Sequence, residues 1–266
     1  MKFIVTGTPR SATRYAAVLF SLLEVPCRHE EVCRPNADLI CLHEWQTGPQ
    51  QGESSWLAWA FLGAMAEPVV VFHSRRDPFK VIDSLAHRNQ MCRLDRPETA
   101  HNRRQQQVIE WYCPRIRHYT ESVDRAAVML LDWNRRIVEA ATRYAGRYVP
   151  YLVERVDSVE VSVWLDAIGC ERSVEQIDRA LDAVAKDTNC GRKVRRGCPI
   201  SNQQVWDYIV NEIADGRRIA TAVVEPATEF ATRAEILDRM APELAAEVVD
   251  YAERFGYVEP AVCTKP

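Results

Sequence analysis

Several features that would narrow the function of a sequence are missing from these 266 residues. No sign of charge dominates: 34 lysines and arginines stand against 37 aspartates and glutamates, a formal net charge of −3. A global field able to hold nucleic acid or an anionic membrane is thereby excluded, and any basic chemistry must be local. No apolar stretch approaches the roughly 20 residues that span a bilayer. The first apolar run already begins at Phe3, so we expect neither a secretory signal nor a membrane anchor, and a cytoplasmic protein. Nine cysteines (Cys27, Cys33, Cys41, Cys92, Cys113, Cys170, Cys190, Cys198 and Cys263) form an odd set without C-x-x-C spacing. That pattern argues against a disulfide framework and against a zinc site, and we expect reduced thiols and no metal. Internal repeats and low-complexity tracts are absent too. The length fits one α/β domain, at about 100 to 200 residues per domain.

What is present is an alternation of short apolar runs with amphipathic stretches. Phe3–Val5, Val25–Val32, Asp38–Leu42, Val69–Phe72 and Tyr148–Val153 read as strands. Ala16–Leu23, Trp56–Met65, most of 103–144, Val161–Ile168, Val174–Val184 and Ile236–Phe255 read as helices. Such an order predicts a mostly parallel sheet with helices on both faces, with ligands beyond the carboxyl ends of the strands. The stretches 88–107 and 188–202 read as long loops.

Two of the strand ends carry chemistry. After Phe3, Ile4 and Val5 the chain breaks into Gly7-Thr8-Pro9-Arg10-Ser11-Ala12-Thr13-Arg14-Tyr15 and then enters a helical pattern. A strand, a tight loop and a helix start aim unpaired N–H groups and the positive end of the helix dipole at one spot, where Arg10, Ser11 and Thr13 add a cation and two hydroxyls. A phosphate or sulfate suits that spot. The nucleoside-triphosphatase pattern G-x-x-x-x-G-K-[ST] is not met, because Ala12 stands for its second glycine and no lysine follows. At the second strand end, Val69–Phe72 leads through Arg75-Arg76-Asp77-Pro78 into Phe79, Val81, Ile82 and Leu85 at helical spacing. Cations at a helix start oppose the dipole, so Arg75, Arg76 and Lys80 argue for an anion to hold.

The first loop resembles the 5'-phosphosulfate loop of sulfotransferases that use 3'-phosphoadenosine-5'-phosphosulfate (PAPS): proline, basic residue, serine, glycine, threonine, any residue, aromatic. Pro9, Arg10, Ser11, Ala12, Thr13, Arg14 and Tyr15 follow that order, with arginine for the usual lysine and alanine for the usual glycine. The second element is similar to that family's 3'-phosphate site, an arginine before Asn/Asp-Pro and a serine eight residues on, here Arg76 and Ser84. The resemblance implies a P-loop-like three-layer α/β sandwich, PAPS as donor and adenosine 3',5'-bisphosphate as product. It also implies that Arg10 sits on the leaving group and that Tyr15 stacks on the adenine. The basic run ending Arg195-Arg196-Gly197 resembles the family's loop over the 3'-phosphate. The family's tyrosine before Glu-Asp is not reproduced, since Val153-Glu154-Arg155 stands there.

Transfer to a hydroxyl also needs a base. Arg28-His29-Glu30-Glu31 resembles the Gly-His-Glu segment of bacterial sulfotransferase-like proteins, and Glu30 is the first candidate because strand alternation sets it opposite Glu31. His29 and the pair His43-Glu44 remain alternatives. Gly52-Glu53-Ser54-Ser55-Trp56 reads as a helix start with Ser54 as N-cap. Ser55 and Trp56, with Glu31, are candidates for the acceptor side. The expected function is transfer of a sulfuryl group from PAPS to a hydroxyl of a small molecule, glycan or glycolipid, without nucleic acid as partner. A nucleotide-dependent kinase of the same fold and a non-catalytic nucleotide-binding protein are the rival readings.

Overall fold

A computed structural model describes residues 1–35, 39–87, 100–184 and 231–257. Five strands, β1 (Phe3–Gly7), β2 (Cys27–His29), β3 (Gly52–Ser54), β4 (Val70–Arg75) and β5 (Arg147–Leu152), form one sheet in the order β2-β3-β1-β4-β5. Every pairing is parallel, with Phe3 of the central strand opposite Gly52 on one side and Val70 on the other. A parallel sheet needs helices on both faces, and the strand sequences supply apolar side chains to both. Phe3, Val5, Val70 and Phe72 pack towards α1 (Thr13–Leu22), α6 (Ser158–Ile168) and α7 (Val174–Ala183). Ile4, Val69 and Val71 pack on the opposite face towards α3 (Pro78–His87), α5 (Ser122–Tyr144) and the helices α8 (Arg233–Asp238) and α9 (Pro242–Arg254). On the first face Phe3, Phe20, Phe72 and Trp164 interlock, with ring centroids 4.5 to 5.8 Å apart. The remaining helices are α2 (Leu39–Thr47) and α4 (Ala100–Tyr112). Among the described residues no helix is long and apolar enough to cross a membrane.

Three expectations need correcting. Residues 39–42 belong to a helix, not a strand: Leu42 and Trp45 are buried at helical spacing while Leu39 and Ile40 are exposed. An apolar run of four residues satisfies both periods, so its pattern does not choose between them. Gly52–Ser54 is strand β3, and helical structure starts only with a 3₁₀ turn at Ala58–Ala64. Ser54 therefore caps no helix; its hydroxyl donates to the Thr13 carbonyl at 2.6 Å. The closing helical stretch is two helices, because Pro242 lacks the N–H that a continuous helix would use and instead starts α9. Within 88–107 the described part is helical from Ala100, and 188–202 lies outside the described residues.

Gly7 ends β1 where the chain turns under its own loop. A Cβ there would run into Ser11 Oγ and stand 2.5 Å from the Ser74 carbonyl oxygen. Ala12, at φ 71, holds a left-handed conformation that glycine adopts without steric cost. The two positions should therefore respond with opposite signs. Gly7→Ala is expected to lose about 1 to 3 kcal/mol by overpacking, and Ala12→Gly to gain about 1 kcal/mol by relieving strain. Urea denaturation of both variants measures this, and a destabilised Ala12→Gly would refute the strain at that position.

Candidate functional site

The loop after β1 is held from both neighbouring strands. Ser54, on β3, donates to the Thr13 carbonyl, and Ser74, on β4, donates to the Ser11 carbonyl. Arg76 Nη1 donates to the Arg10 carbonyl at 3.3 Å. In a trans peptide the C=O and the next N–H point in opposite directions. With the Ser11 and Thr13 carbonyls turned towards the strands, the Ala12 and Arg14 N–H groups face away from them. Among the described residues no side chain caps α1, so its first N–H groups add to a concave donor surface that suits an anion. Ser11 Oγ is buried in this turn without a hydrogen-bond partner among the described residues.

The turn from β4 to α3 meets this loop. Asp77 Oδ1 accepts the Phe79 N–H at 3.0 Å and caps α3. Two turns further along, Ser84 Oγ accepts from Arg10 Nε at 2.9 Å. Arg10, Arg76 and Ser84, up to 74 residues apart in the chain, are thus gathered at one place. Glu154, just beyond β5, accepts the Asp77 N–H at 3.2 Å and the Tyr257 hydroxyl at 3.1 Å, and lies 3.8 Å from Arg76 Nε. It braces the turn that presents Arg76.

Next to the loop on the other side, β2 ends at His29. Glu30 follows in a left-handed turn at φ 57, with its N–H donated to the Ser54 carbonyl at 3.0 Å. Strand alternation therefore does not reach Glu30, and the turn sets where its side chain points. Burial raises the Glu30 carboxyl above its ordinary value, while the Arg14 guanidinium pulls it the other way. Burial, reinforced by Arg14, pushes His29 down to about 3, which leaves it neutral and a weak base near pH 7. Glu31 is tied to Arg28 at 2.9 Å. His43 and Glu44 are exposed on α2. The carbonyls of Trp45 and Gly48, at that helix's end, hold Lys2 Nζ at 2.7 Å, which puts the pair towards the amino ends of the strands, opposite the loop.

Some candidate residues sit where their expected role does not suit them. Tyr15 is completely buried in the core under α1 and offers no ring face for stacking; its hydroxyl has no hydrogen-bond partner among the described residues, and burial pushes it up to about 12. Ser55 is fully buried, donates to the Cys33 carbonyl and accepts the Leu57 N–H at 3.1 Å. Trp56 packs against Trp133 with centroids 5.1 Å apart, and its carbonyl accepts the Trp133 indole N–H at 2.9 Å. Both are committed to the interior. Pro9 is half-buried and Thr13 buried at the loop. Arg195, Arg196 and Gly197 lie outside the described residues.

Glu53 is the residue that sequence reasoning missed as a functional group. It is fully buried on β3, and its Oε1 accepts the N–H groups of Glu31, Val32 and Cys33 at 3.1, 3.1 and 3.2 Å. Oε2 is buried with no hydrogen-bond partner among the described residues. Burial lifts the carboxyl to about 7 against the opposing effect of those bonds. A second missed feature lies under the loop: Asn134 Nδ2 donates to Thr8 Oγ1 at 2.8 Å and to the Leu130 carbonyl at 2.7 Å, while its Oδ1 faces His73 Nε2 at 2.7 Å. Only a glutamate flanked by Gly and Ser hinted at the first; nothing in the sequence pairs His73 with Asn134.

No family model matches the chain, and no curated protein matches it. Among solved structures, the crystal structure of mouse sulfotransferase SULT7A1 complexed with PAP is similar, at a TM-score of 0.48 and 10% identity, over 95% of this chain and 88% of that one. A likeness at that level assigns no role to any residue here.

Glu53 makes stability depend on pH. Its folded value of about 7 lies above the ordinary 4.5, so between the two the folded state holds more protons and stability falls as pH rises. The loss from pH 4.5 to pH 8 is on the order of 3 kcal/mol. Glu53→Gln, which keeps the acceptor oxygen but cannot ionise, is expected to lose less stability over that interval. Denaturation curves at pH 5 and pH 8 test this, and parallel declines in the two proteins would remove Glu53 as the titrating group.

Proposed function

We propose that this chain is a PAPS-dependent sulfotransferase acting on a hydroxyl of a small molecule, glycan or glycolipid. The observation that carries the reading is the hydrogen bond from Arg10 to Ser84, with Arg76 on the Arg10 carbonyl. It joins the two anion-binding turns that the sequence offers separately.

The residues suit a donor with two phosphate groups. The uncapped start of α1 and the loop N–H groups, with Arg10, Ser11 and Thr13, would hold the 5'-phosphosulfate. The orphaned Ser11 hydroxyl fits a polar group that completes the turn. Arg76 and Ser84 would hold the 3'-phosphate, with Arg195, Arg196 and Gly197 as further candidates. The donor supplies the sulfuryl group and a phosphate that leaves. Arg10 stays protonated throughout and stabilises negative charge there without giving up a proton. Glu30 takes the proton of the acceptor hydroxyl, and its raised carboxyl brings it nearer to neutrality, where a base works best. Glu53 holds the chain just beyond Glu30 through its three N–H bonds.

Adenosine 3',5'-bisphosphate is expected to stabilise the protein in a thermal-shift titration and to bind more tightly than adenosine 5'-phosphate. Charge-assisted bonds to a phosphate are strong, so Arg76→Ala should cost about 2 kcal/mol, roughly thirtyfold in Kd. Equal affinity for the two nucleotides, or an unaffected Arg76→Ala variant, would overturn the reading.

A further inference from the structure

Helix α9 packs across α5 beside the carboxyl end of β4 and leaves a half-open cavity of about 370 Å³. That is the size of a small-molecule site. Its four wall carboxylates, Asp132, Glu139, Glu247 and Asp250, each lie within 4.0 Å of an arginine. Arg75, also on the wall, is different: among the described residues it makes no ion pair. Its Nη2 donates to the Tyr148 hydroxyl at 3.1 Å, its guanidinium carbon lies 4.0 Å from the Phe255 ring centre, and its Nε is buried with no hydrogen-bond partner among the described residues. An aromatic face and a phenol leave a guanidinium without its counter-charge, and a buried N–H without an acceptor costs about 1 to 3 kcal/mol.

The wall also says what kind of acceptor would serve. Its four arginines, Arg75, Arg115, Arg135 and Arg254, balance its four carboxylates, and Arg75 is the one among them without an ion pair to a described residue; a monoanion matches that single guanidinium, whereas a dianionic phosphate would meet the nearby carboxylates. A planar carboxylate fits the edge of a guanidinium, and Tyr251, Phe255 and Leu131 supply apolar surface beside it. We propose that this cavity binds a small carboxylate with an apolar body, the carboxylate on Arg75 and the body against Tyr251 and Phe255.

Such a ligand would be connected to the loop after β1. The Leu130 carbonyl fixes the orientation of the Asn134 amide, so its Oδ1 must accept from His73 Nε2. His73 Nδ1 is then the acceptor of the Tyr148 hydroxyl at 2.7 Å. Arg75, Tyr148, His73, Asn134 and Thr8 form one chain in which each donates to the next. A carboxylate that draws Arg75 towards itself changes the first bond of that chain, and Thr8 stands at its end.

Benzoate is the probe, and benzamide its uncharged control. In an amide NMR titration benzoate should shift residues of α9 near Tyr251 and Phe255, with a Kd on the order of 1 mM for so small a ligand, and should shift Thr8. Benzamide should do neither. Arg75→Gln should weaken binding at least tenfold, and so should Val138→Phe, which narrows the cavity from its rim should Arg75→Gln fail to fold. Arg76→Ala should leave benzoate binding intact, whatever it does to nucleotide binding. Tyr148→Phe should keep the α9 shifts and lose those at Thr8. Benzamide binding as well as benzoate, absence of α9 shifts, or loss of benzoate binding in Arg76→Ala would overturn the site; α9 shifts with none at Thr8 would overturn its connection to the loop.

Discussion

Ser54 and Ser74 reach the same loop from opposite sides of β1, and the candidate site depends on that double hold. In the sheet Ser54 stands opposite Val5 and Ser74 opposite Gly7. Both are fully buried, so the carbonyls they bond have no water to turn to. The parallel register thus decides the direction of two loop peptides, and with them the direction of the Ala12 and Arg14 N–H groups. It also explains why β1 ends in glycine: Ser11 Oγ and the Ser74 carbonyl oxygen occupy the space a side chain would need. Fold and site are linked here by a few atoms, not by the general architecture.

Beside that loop the protein buries ionisable groups and treats each differently. Glu53 has three N–H bonds and still rises to about 7, because only one of its oxygens is served and the other is shut away from water. Glu30 rises as well, but Arg14 limits the shift. The same guanidinium, with burial, empties His29 of its proton. One arginine at the start of α1 therefore favours the charged form of a carboxylate and the neutral form of an imidazole next to each other. Burial and Arg14 thus oppose each other at the carboxylate and act together at the imidazole.

The alternation of elements was legible in the sequence because strands buried on both faces read as continuous apolar runs. Arg10 and Arg76 stood out because each follows a strand at a turn into a helix, whereas Ser84 was picked only by the spacing of the resembled family; the structure brings the three together. What was not legible depended on register or on distant partners. The run at Leu39–Leu42 satisfied two periods, and only the tertiary contacts of Leu42 and Trp45 decide for a helix. Ser54 looked like a cap because the strand containing it is three residues long. Tyr15 followed the order of a resembled motif, yet the rotation of α1 turns it inward. Glu30 was placed by an alternation that stops one residue earlier. The pairing of His73 with Asn134 spans 61 residues and leaves no local trace.

The two departures from the resembled loop both fall at backbone positions with positive φ, Arg10 at 78 and Ala12 at 71. Each such residue costs on the order of 1 to 2 kcal/mol, and the loop keeps them because its carbonyls are held by Ser74, Arg76 and Ser54. At Ala12 the strain brings no evident gain. At Arg10 the change of residue type has a consequence that a lysine would not give. An ammonium is a single point of charge on a flexible stem, whereas a guanidinium has a fixed fork: its Nε reaches Ser84 and leaves its two terminal nitrogens as further donors. Arginine thereby ties the loop after β1 to α3 within the protein itself. Pre-organisation of this kind lowers the ordering cost of binding a doubly anionic molecule, and it places the cost of the strained loop in the folding of the protein instead.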